Sequence, residues 1–246
     1  MASTASPLRA QEEEALAAEQ ETIDSPYRWI ERGLRLGLTG GYYLANRGNL
    51  DFGPGSTPII GAQFRARVSS PLTLEINVTY GPSDRWVIDP RLEDGPAPVD
   101  TVGADWLLAQ AGAQIGLSGA RTWHGIHPFL RLGGGFMFGV NNEKSTVLEG
   151  NLPPVEGTPN VDEIEHLRYS IGGSPNIYFG GGAEVFPSER IGISLEFRDI
   201  ILRLKSPSGW FAPDILFGIA ESGAEAPKES QWVHSLEMAL TLFYYF

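Results

Sequence analysis

The last sixteen residues of the chain, Gln231–Phe246, read QWVHSLEMALTLFYYF and decide its fold. Every second position from Phe246 back to Leu236 is apolar, whereas the positions between them turn polar away from the terminus. The apolar set is Phe246, Tyr244, Leu242, Leu240, Met238 and Leu236. Because successive side chains of a β-strand point to opposite faces, this period of two predicts a strand with one apolar and one polar face.

Seven further stretches of the chain alternate in the same way. They are Gly33–Ala45, Ile60–Val68, Leu72–Tyr80, Leu107–Leu117, Leu130–Val140, Ile177–Val185 and Ile191–Arg198. Together with the C-terminal stretch they predict eight strands. Each is about as long as a tilted strand that crosses a bilayer.

The connections between the predicted strands alternate between short and long. The short ones are Ser69–Pro71, Ser118–His127 and Pro187–Arg190, and the long ones are Asn46–Pro58, Gly81–Asp105, Asn141–Pro175 and Lys205–Glu229. In an antiparallel barrel whose strands follow chain order, all short turns lie at one end and all long loops at the other. A soluble β-sandwich is not expected to sort its connections in this way. A soluble, lipocalin-like barrel of eight strands remains the rival fold.

These features resemble the small eight-stranded outer-membrane β-barrels of bacteria, the OmpA-, OmpX- and OmpW-like family. The resemblance implies an all-β, eight-stranded antiparallel up-and-down transmembrane β-barrel over residues 33–246, with a periplasmic tail over residues 1–32. In that tail, the acidic, alanine-rich stretch Gln11–Glu31 can form a short helix. The resemblance also implies a bacterial outer-membrane location with extracellular loops. It assigns an assembly signal, read by the barrel assembly machinery, to Leu240, Leu242, Tyr244 and Phe246.

The polar faces of the predicted strands carry charges of both signs. The charged residues are Arg35, Arg65, Arg67, Glu75, Arg131, Glu184, Glu196, Arg198 and Glu237. The opposite faces carry more apolar area than a soluble protein leaves in water, and side chains can fill the interior of an eight-stranded barrel. The pattern therefore favours apolar faces toward lipid and a charge-plugged lumen over the inverted, lipocalin-like arrangement. Strand adjacency predicts that Glu237 contacts both Arg35 and Arg198.

Aromatic residues lie near both ends of the predicted strands, as in the two girdles that mark membrane interfaces. The loop-end set is Tyr42, Tyr80, Trp106, Phe138 and Trp232, and the turn-end set is Phe129, Phe186, Tyr244 and Phe246. The last long loop also contains Trp210, Phe211 and Phe217. Apolar side chains in such a loop either pack on the barrel mouth or dock a partner protein.

Composition and motifs exclude several classes of function. The net charge of −12 argues against nucleic-acid binding, and the lack of cysteine suits export through an oxidising periplasm. His124 and His127 do not form a metal-binding motif, and the glycine triplets at 133–135 and 180–182 predict close strand packing instead of a phosphate loop. We therefore predict no catalytic residue, no metal site and no cofactor.

The predicted function is that of an integral outer-membrane barrel with a structural or interaction role, which displays acidic extracellular loops. Its expected partners are outer-membrane lipids and lipopolysaccharide, the barrel assembly machinery, and a protein bound at the loops. The alternative is OmpW-like transport of small or hydrophobic solutes. A lipid-modifying enzyme is a third reading, although the adjacent His234 and Ser235 must point to opposite faces of their strand.

Overall fold

The computed structural model describes residues 27–30, 33–88, 98–142, 172–211, 216, 219–220 and 226–246. In chain order, the strands are β1 Tyr27–Trp29, β2 Leu34–Leu44, β3 Thr57–Arg67, β4 Leu72–Gly81, β5 Asp84–Ile88, β6 Pro98–Gly116, β7 Arg121–Trp123, β8 Ile126–Asn142, β9 Ser174–Val185, β10 Ile191–Lys205 and β11 Ser230–Tyr245. A single 3-10 turn follows β10 at Ser208–Phe211. Within the described ranges, no helix is long and apolar enough to cross a bilayer.

Eight of the described strands close into a barrel. Their order is β2-β3-β4-β6-β8-β9-β10-β11, every neighbouring pair is antiparallel, and β11 pairs back with β2 through partners such as Leu242 and Leu38. The predicted eight-stranded up-and-down barrel is therefore confirmed. We call the end that carries the β3–β4, β6–β8 and β9–β10 connections the turn end, and the opposite end the loop end.

Burial alternates along the barrel strands as the period of two requires. In β11, the six positions of the apolar set are 46–59% exposed on the outer wall, whereas Ser235, Glu237, Thr241 and their neighbours on the other parity are buried in the lumen. The same outward leucines, isoleucines and phenylalanines surround the whole barrel. Because such a wall is stable only against hydrocarbon, the apolar faces point to lipid and the lipocalin-like inversion is wrong.

Three short strands extend the barrel beyond the predicted spans. At the loop end, β5 pairs with the first part of β6. At the turn end, β7 forms a tight hairpin with the start of β8, and β1 pairs with β7, with the guanidinium carbon of Arg121 4.5 Å from the ring centre of Trp29. Residues 27–29, predicted as part of the periplasmic tail, thus form a strand, and residues 1–26 lie outside the described part of the chain.

Candidate functional site in the barrel lumen

Four charged side chains from four strands form a closed ring across the turn half of the lumen. Arg65 on β3 has its Nε 3.4 Å from Oε2 of Glu75 on β4, and Arg131 on β8 donates from Nε to Oε1 of Glu75 at 2.8 Å. Glu196 on β10 accepts from both arginines. All four residues are buried, so this charge ring balances two positive against two negative charges away from water.

A second ion pair closes the lumen at the turn end of the charge ring. Arg35 Nη1 lies 3.0 Å from Oε2 of Glu184, and Tyr245 connects the two side chains by donating to Glu184 Oε1 at 2.6 Å and accepting from Arg35 at 2.9 Å. Arg35 also donates to Gln114 at 3.3 Å. His127 Nδ1 lies 3.8 Å from Glu184. This cluster therefore ties β2, β6, β8, β9 and β11 together.

A third pair lies on the loop side of the charge ring. Arg198 and Glu237 are directly opposite on β10 and β11 and form a buried ion pair. Arg198 also donates to the side-chain oxygen of Gln110 at 3.1 Å, and Gln110 donates to that of Asn176 at 2.7 Å. Because an isolated buried charge or amide is costly, these partners make the layer tolerable in a lumen shielded from water.

Tyr178 connects the charge ring with the pair of Arg198 and Glu237. Its hydroxyl donates to Glu75 Oε1 at 2.6 Å, and its ring lies 5.5 Å from the guanidinium carbon of Arg198. Gly112 on β6 and Gly133 on β8 leave the space for this side chain, because a Cβ atom at either position would collide with the Tyr178 hydroxyl. Mid-strand glycine here serves close packing, as the triplets predicted.

Aromatic rings cover the guanidinium groups of the charge ring. Phe243 has its ring centre 4.3 Å from the guanidinium carbon of Arg65 and 5.3 Å from that of Arg35, and Phe129 contacts Arg65 from 5.7 Å. Such cation–π contacts favour arginine over lysine in a dry site. Phe129 is buried in the lumen, so its predicted place in the turn-end girdle is wrong.

The loop half of the lumen is largely apolar, a change that the alternation of the strands did not predict. Its fully buried side chains form one cluster, the apolar mouth: Tyr43, Phe52, Ile59, Val102, Trp106, Leu108, Met137, Ile200, Leu202, Leu204, Trp210 and Val233. Tyr43 packs edge-on against Trp106 at 4.9 Å, and Phe52 packs against Trp210 at 5.2 Å. The lumen therefore changes from ionic to apolar along its axis.

Comparisons with known proteins identify similar structures but no relative by sequence. No family model and no curated protein matches the chain. The crystal structure of the outer membrane protein OprG from Pseudomonas aeruginosa matches with a TM-score of 0.50 at 11% identity, over 91% of this chain and 99% of that one. The fold is that of a small outer-membrane β-barrel. The Neisserial surface protein A has a TM-score of 0.44 at 10% identity, over 90% of this chain and 98% of its own.

Four of the five predicted loop-end aromatics lie on the outer wall of this outer-membrane barrel. Tyr42, Phe138 and Trp232 are exposed, and half-buried Tyr80 donates its hydroxyl to Asp105 at 2.7 Å. Trp106 is the exception, because it belongs to the inward parity of β6 and is fully buried in the apolar mouth. Its assignment to the membrane interface is wrong.

The predicted docking loop is part of the mouth. Trp210 is 1% exposed, and half-buried Phe211 packs against the same cluster. Buried Trp210 therefore packs on the mouth, docking of a partner at half-buried Phe211 stays a prediction, and Phe217 lies outside the described residues. Packing on the mouth was the other arrangement that the sequence left open.

One predicted lumen contact is wrong. Glu237 does not lie beside Arg35, because the seam register places it opposite Tyr43 and places Arg35 opposite Tyr245. Arg67 is only partly buried at the turn end, where it donates to the backbone oxygen of Ile30. The other eight residues of the predicted lumen set form the layers described above. Their roles stay a prediction.

The remaining candidates occupy the wall. Leu240, Leu242, Tyr244 and Phe246 all point outward, and their role as an assembly signal stays a prediction. His234 is outward and hydrogen-bonded to Asp199 at 2.9 Å, whereas Ser235 is buried inside. Within the described part of the chain, no group of three His, Cys, Asp or Glu residues could hold a metal ion.

Contact with lipid should differ between Trp106 and Trp232, which were both predicted to lie in the loop-end girdle. In variants that retain a single tryptophan, we expect brominated lipids to quench Trp232 strongly and Trp106 weakly, because bromine on an acyl chain reaches only the outer wall. Fluorescence in bilayers measures the effect, and each variant is first checked for the folded band on unheated gels. Equal quenching of the two residues would contradict the inward position of Trp106.

Proposed function

We propose that this protein is a sealed, non-catalytic outer-membrane barrel with a structural or interaction role. Its loop end faces the cell exterior, where the acidic loops are displayed, and its turn end faces the periplasm. The observation that carries the proposal is the charge ring of Arg65, Glu75, Arg131 and Glu196, whose strands lie on different sides of the lumen. A continuous aqueous path would have to run through this ring.

Two independent layers support a closed lumen. The ionic layers fill the turn half with buried, mutually paired side chains. The apolar mouth fills the loop half, and Trp210 from the last long loop packs into it. Water and ions would have to displace both layers, and the apolar one offers hydrated ions no ligands.

The seal can be tested by electrical recording. We expect the wild-type protein to give no steady single-channel current in planar bilayers, because neither half of the lumen leaves a wet pathway. A sixteen-stranded porin in the same membrane is the positive control. Folded insertion is verified separately by protease protection and by migration of the unheated sample. Large, steady ohmic openings from correctly folded protein would overturn the sealed barrel.

Transport of a small apolar solute is the second candidate function. It is favoured by the apolar mouth, whose side chains such as Leu108, Met137 and Leu202 could contact a hydrophobic solute. The charge ring below would stop that solute, so transport requires rearrangement of the ionic layers. Saturable quenching of Trp106 by an apolar solute, together with its uptake into liposomes, would favour this candidate over a sealed anchor.

A further inference from the structure

Three exposed cations lie close together in the described part of this acidic protein. Among the described residues, many of the arginines are buried in the lumen or the mouth. By contrast, Arg203, Lys205 and Lys228 are exposed together where β10 ends and β11 begins. Two of the chain's three lysines lie in this group, which we call the cationic rim.

The cationic rim lies on the outer wall at the loop end. Arg203 and Lys205 share the outward face of β10, about 7 Å apart along the strand. Trp232 is the cross-strand partner of Arg203, and Ser230 is that of Lys205. Arg203 donates to the Ser230 hydroxyl from Nε at 3.2 Å and from Nη2 at 3.1 Å. The guanidinium is thus held beside an exposed indole at the upper edge of the lipid-facing surface.

The positive charges of the rim are not neutralised by the nearby strands. Over the described ranges, no carboxylate forms an ion pair with Arg203, Lys205 or Lys228. The nearest outward acid on β10, Asp199, is already hydrogen-bonded to His234. Among the described residues between Arg203 and Ser230, exposed Glu229 is the one acidic residue. The rim therefore keeps a net positive charge next to apolar surface.

We propose that the cationic rim binds the phosphate groups of a phosphorylated glycolipid, lipopolysaccharide, in the outer leaflet. The guanidinium and ammonium groups bind the phosphates, Trp232 lies at the headgroup level, and the acyl chains cover outward residues of the same strands, such as Phe197 and Met238. This proposal rests on the proposed orientation, because that glycolipid occupies only the leaflet facing the loop end.

The site can be tested in nanodiscs, where the glycolipid is present in both leaflets and the orientation of the protein does not affect the result. Wild-type protein is placed in phosphatidylcholine nanodiscs containing bisphosphorylated lipid A, and retained glycolipid is counted by native mass spectrometry. The test variant is R203Q with K205Q. The control variant is R121Q with R190Q, which removes the same charge from exposed positions at the turn end. Both variants must show the folded band on unheated gels.

We expect the rim variant to retain about tenfold less lipid A than wild type, since each cation near an anionic surface contributes to binding, and the control variant to match wild type. Three results would overturn the site: equal retention by the rim variant, equal retention of dephosphorylated lipid A, or equal retention of phosphatidylglycerol. Failure of the proposed function would be seen in other experiments. Channel current would contradict the sealed lumen, and labelling of the loops from the periplasmic side would contradict the proposed orientation.

Discussion

Glu196→Ala is expected to destabilise the barrel by about 3–5 kcal/mol, the usual cost of removing one partner from a buried ion pair. Glu196 accepts from Arg65 and Arg131, and its loss leaves both guanidinium groups with Glu75 as their only carboxylate in the charge ring. The urea midpoint of unfolding in detergent micelles measures the effect, together with the temperature at which the folded gel band disappears.

Glu229→Ala is the matched control, because it removes an exposed carboxylate from the last loop. Its expected effect is within about 0.5 kcal/mol. Glu237→Ala should fall between the two, since Glu237 pairs with Arg198 alone. If Glu196→Ala unfolds at the same urea concentration as Glu229→Ala, the charge ring does not stabilise the fold.

A paired substitution separates lost charge balance from lost packing. Arg131→Met combined with Glu196→Leu removes one charge of each sign and keeps apolar volume in the ring. We expect this double variant to be more stable than Glu196→Ala alone, because no net charge is stranded. If the loss of stability in the double variant equals the sum of the losses in Arg131→Met and Glu196→Leu measured singly, the two residues act independently.

Deletion of Leu240–Phe246 should abolish the folded barrel altogether. These residues pair with β2 on one side and β10 on the other, so their loss leaves two strand edges open. Unpaired backbone groups are not tolerated in hydrocarbon. Refolding into detergent micelles, followed by unheated gels and circular dichroism, measures the result without the assembly machinery.

Deletion of residues 2–8, an equal length of chain, is the control and should leave refolding unchanged, because all eight strands of the closed barrel stay intact. Phe246→Ala distinguishes closure of the barrel by β11 from recognition of the C-terminal residues by the assembly machinery. Phe246 points outward against Tyr244 at 5.4 Å, so we expect normal refolding in vitro and reduced amounts of protein in the outer membrane. Normal folding after deletion of Leu240–Phe246 would contradict closure by β2 and β11.

The wall of the barrel could be predicted from sequence because a period of two is a local property of the chain. In β11, the outward and inward positions follow directly from counting back from Phe246. The inward charges follow from the same count. A position near a strand end predicts an interface tryptophan at Trp106, but its parity, opposite to that of Leu107, assigns it to the lumen.

The partners inside the lumen could not be predicted, because they depend on the stagger of the closed barrel. Arg65 and Glu196 are 131 positions apart and lie on strands that are not neighbours. The apolar mouth left one readable signal. Along Ile200–Leu204 the inward parity of β10, polar up to Arg198, becomes apolar at Ile200, Leu202 and Leu204, which indicates that this end of the lumen is apolar.

The seam between β2 and β11 also constrains how the protein reaches its native state. Thr39 and Thr241 bond across it at 2.9 Å although 202 positions separate them, and Arg35 contacts Tyr245 across 210. Contacts of such high contact order form late, and until they form, unpaired arginines and glutamates would face hydrocarbon. Insertion and closure must therefore be concerted. Closure therefore waits for the last residues of the chain, because they form one side of the seam.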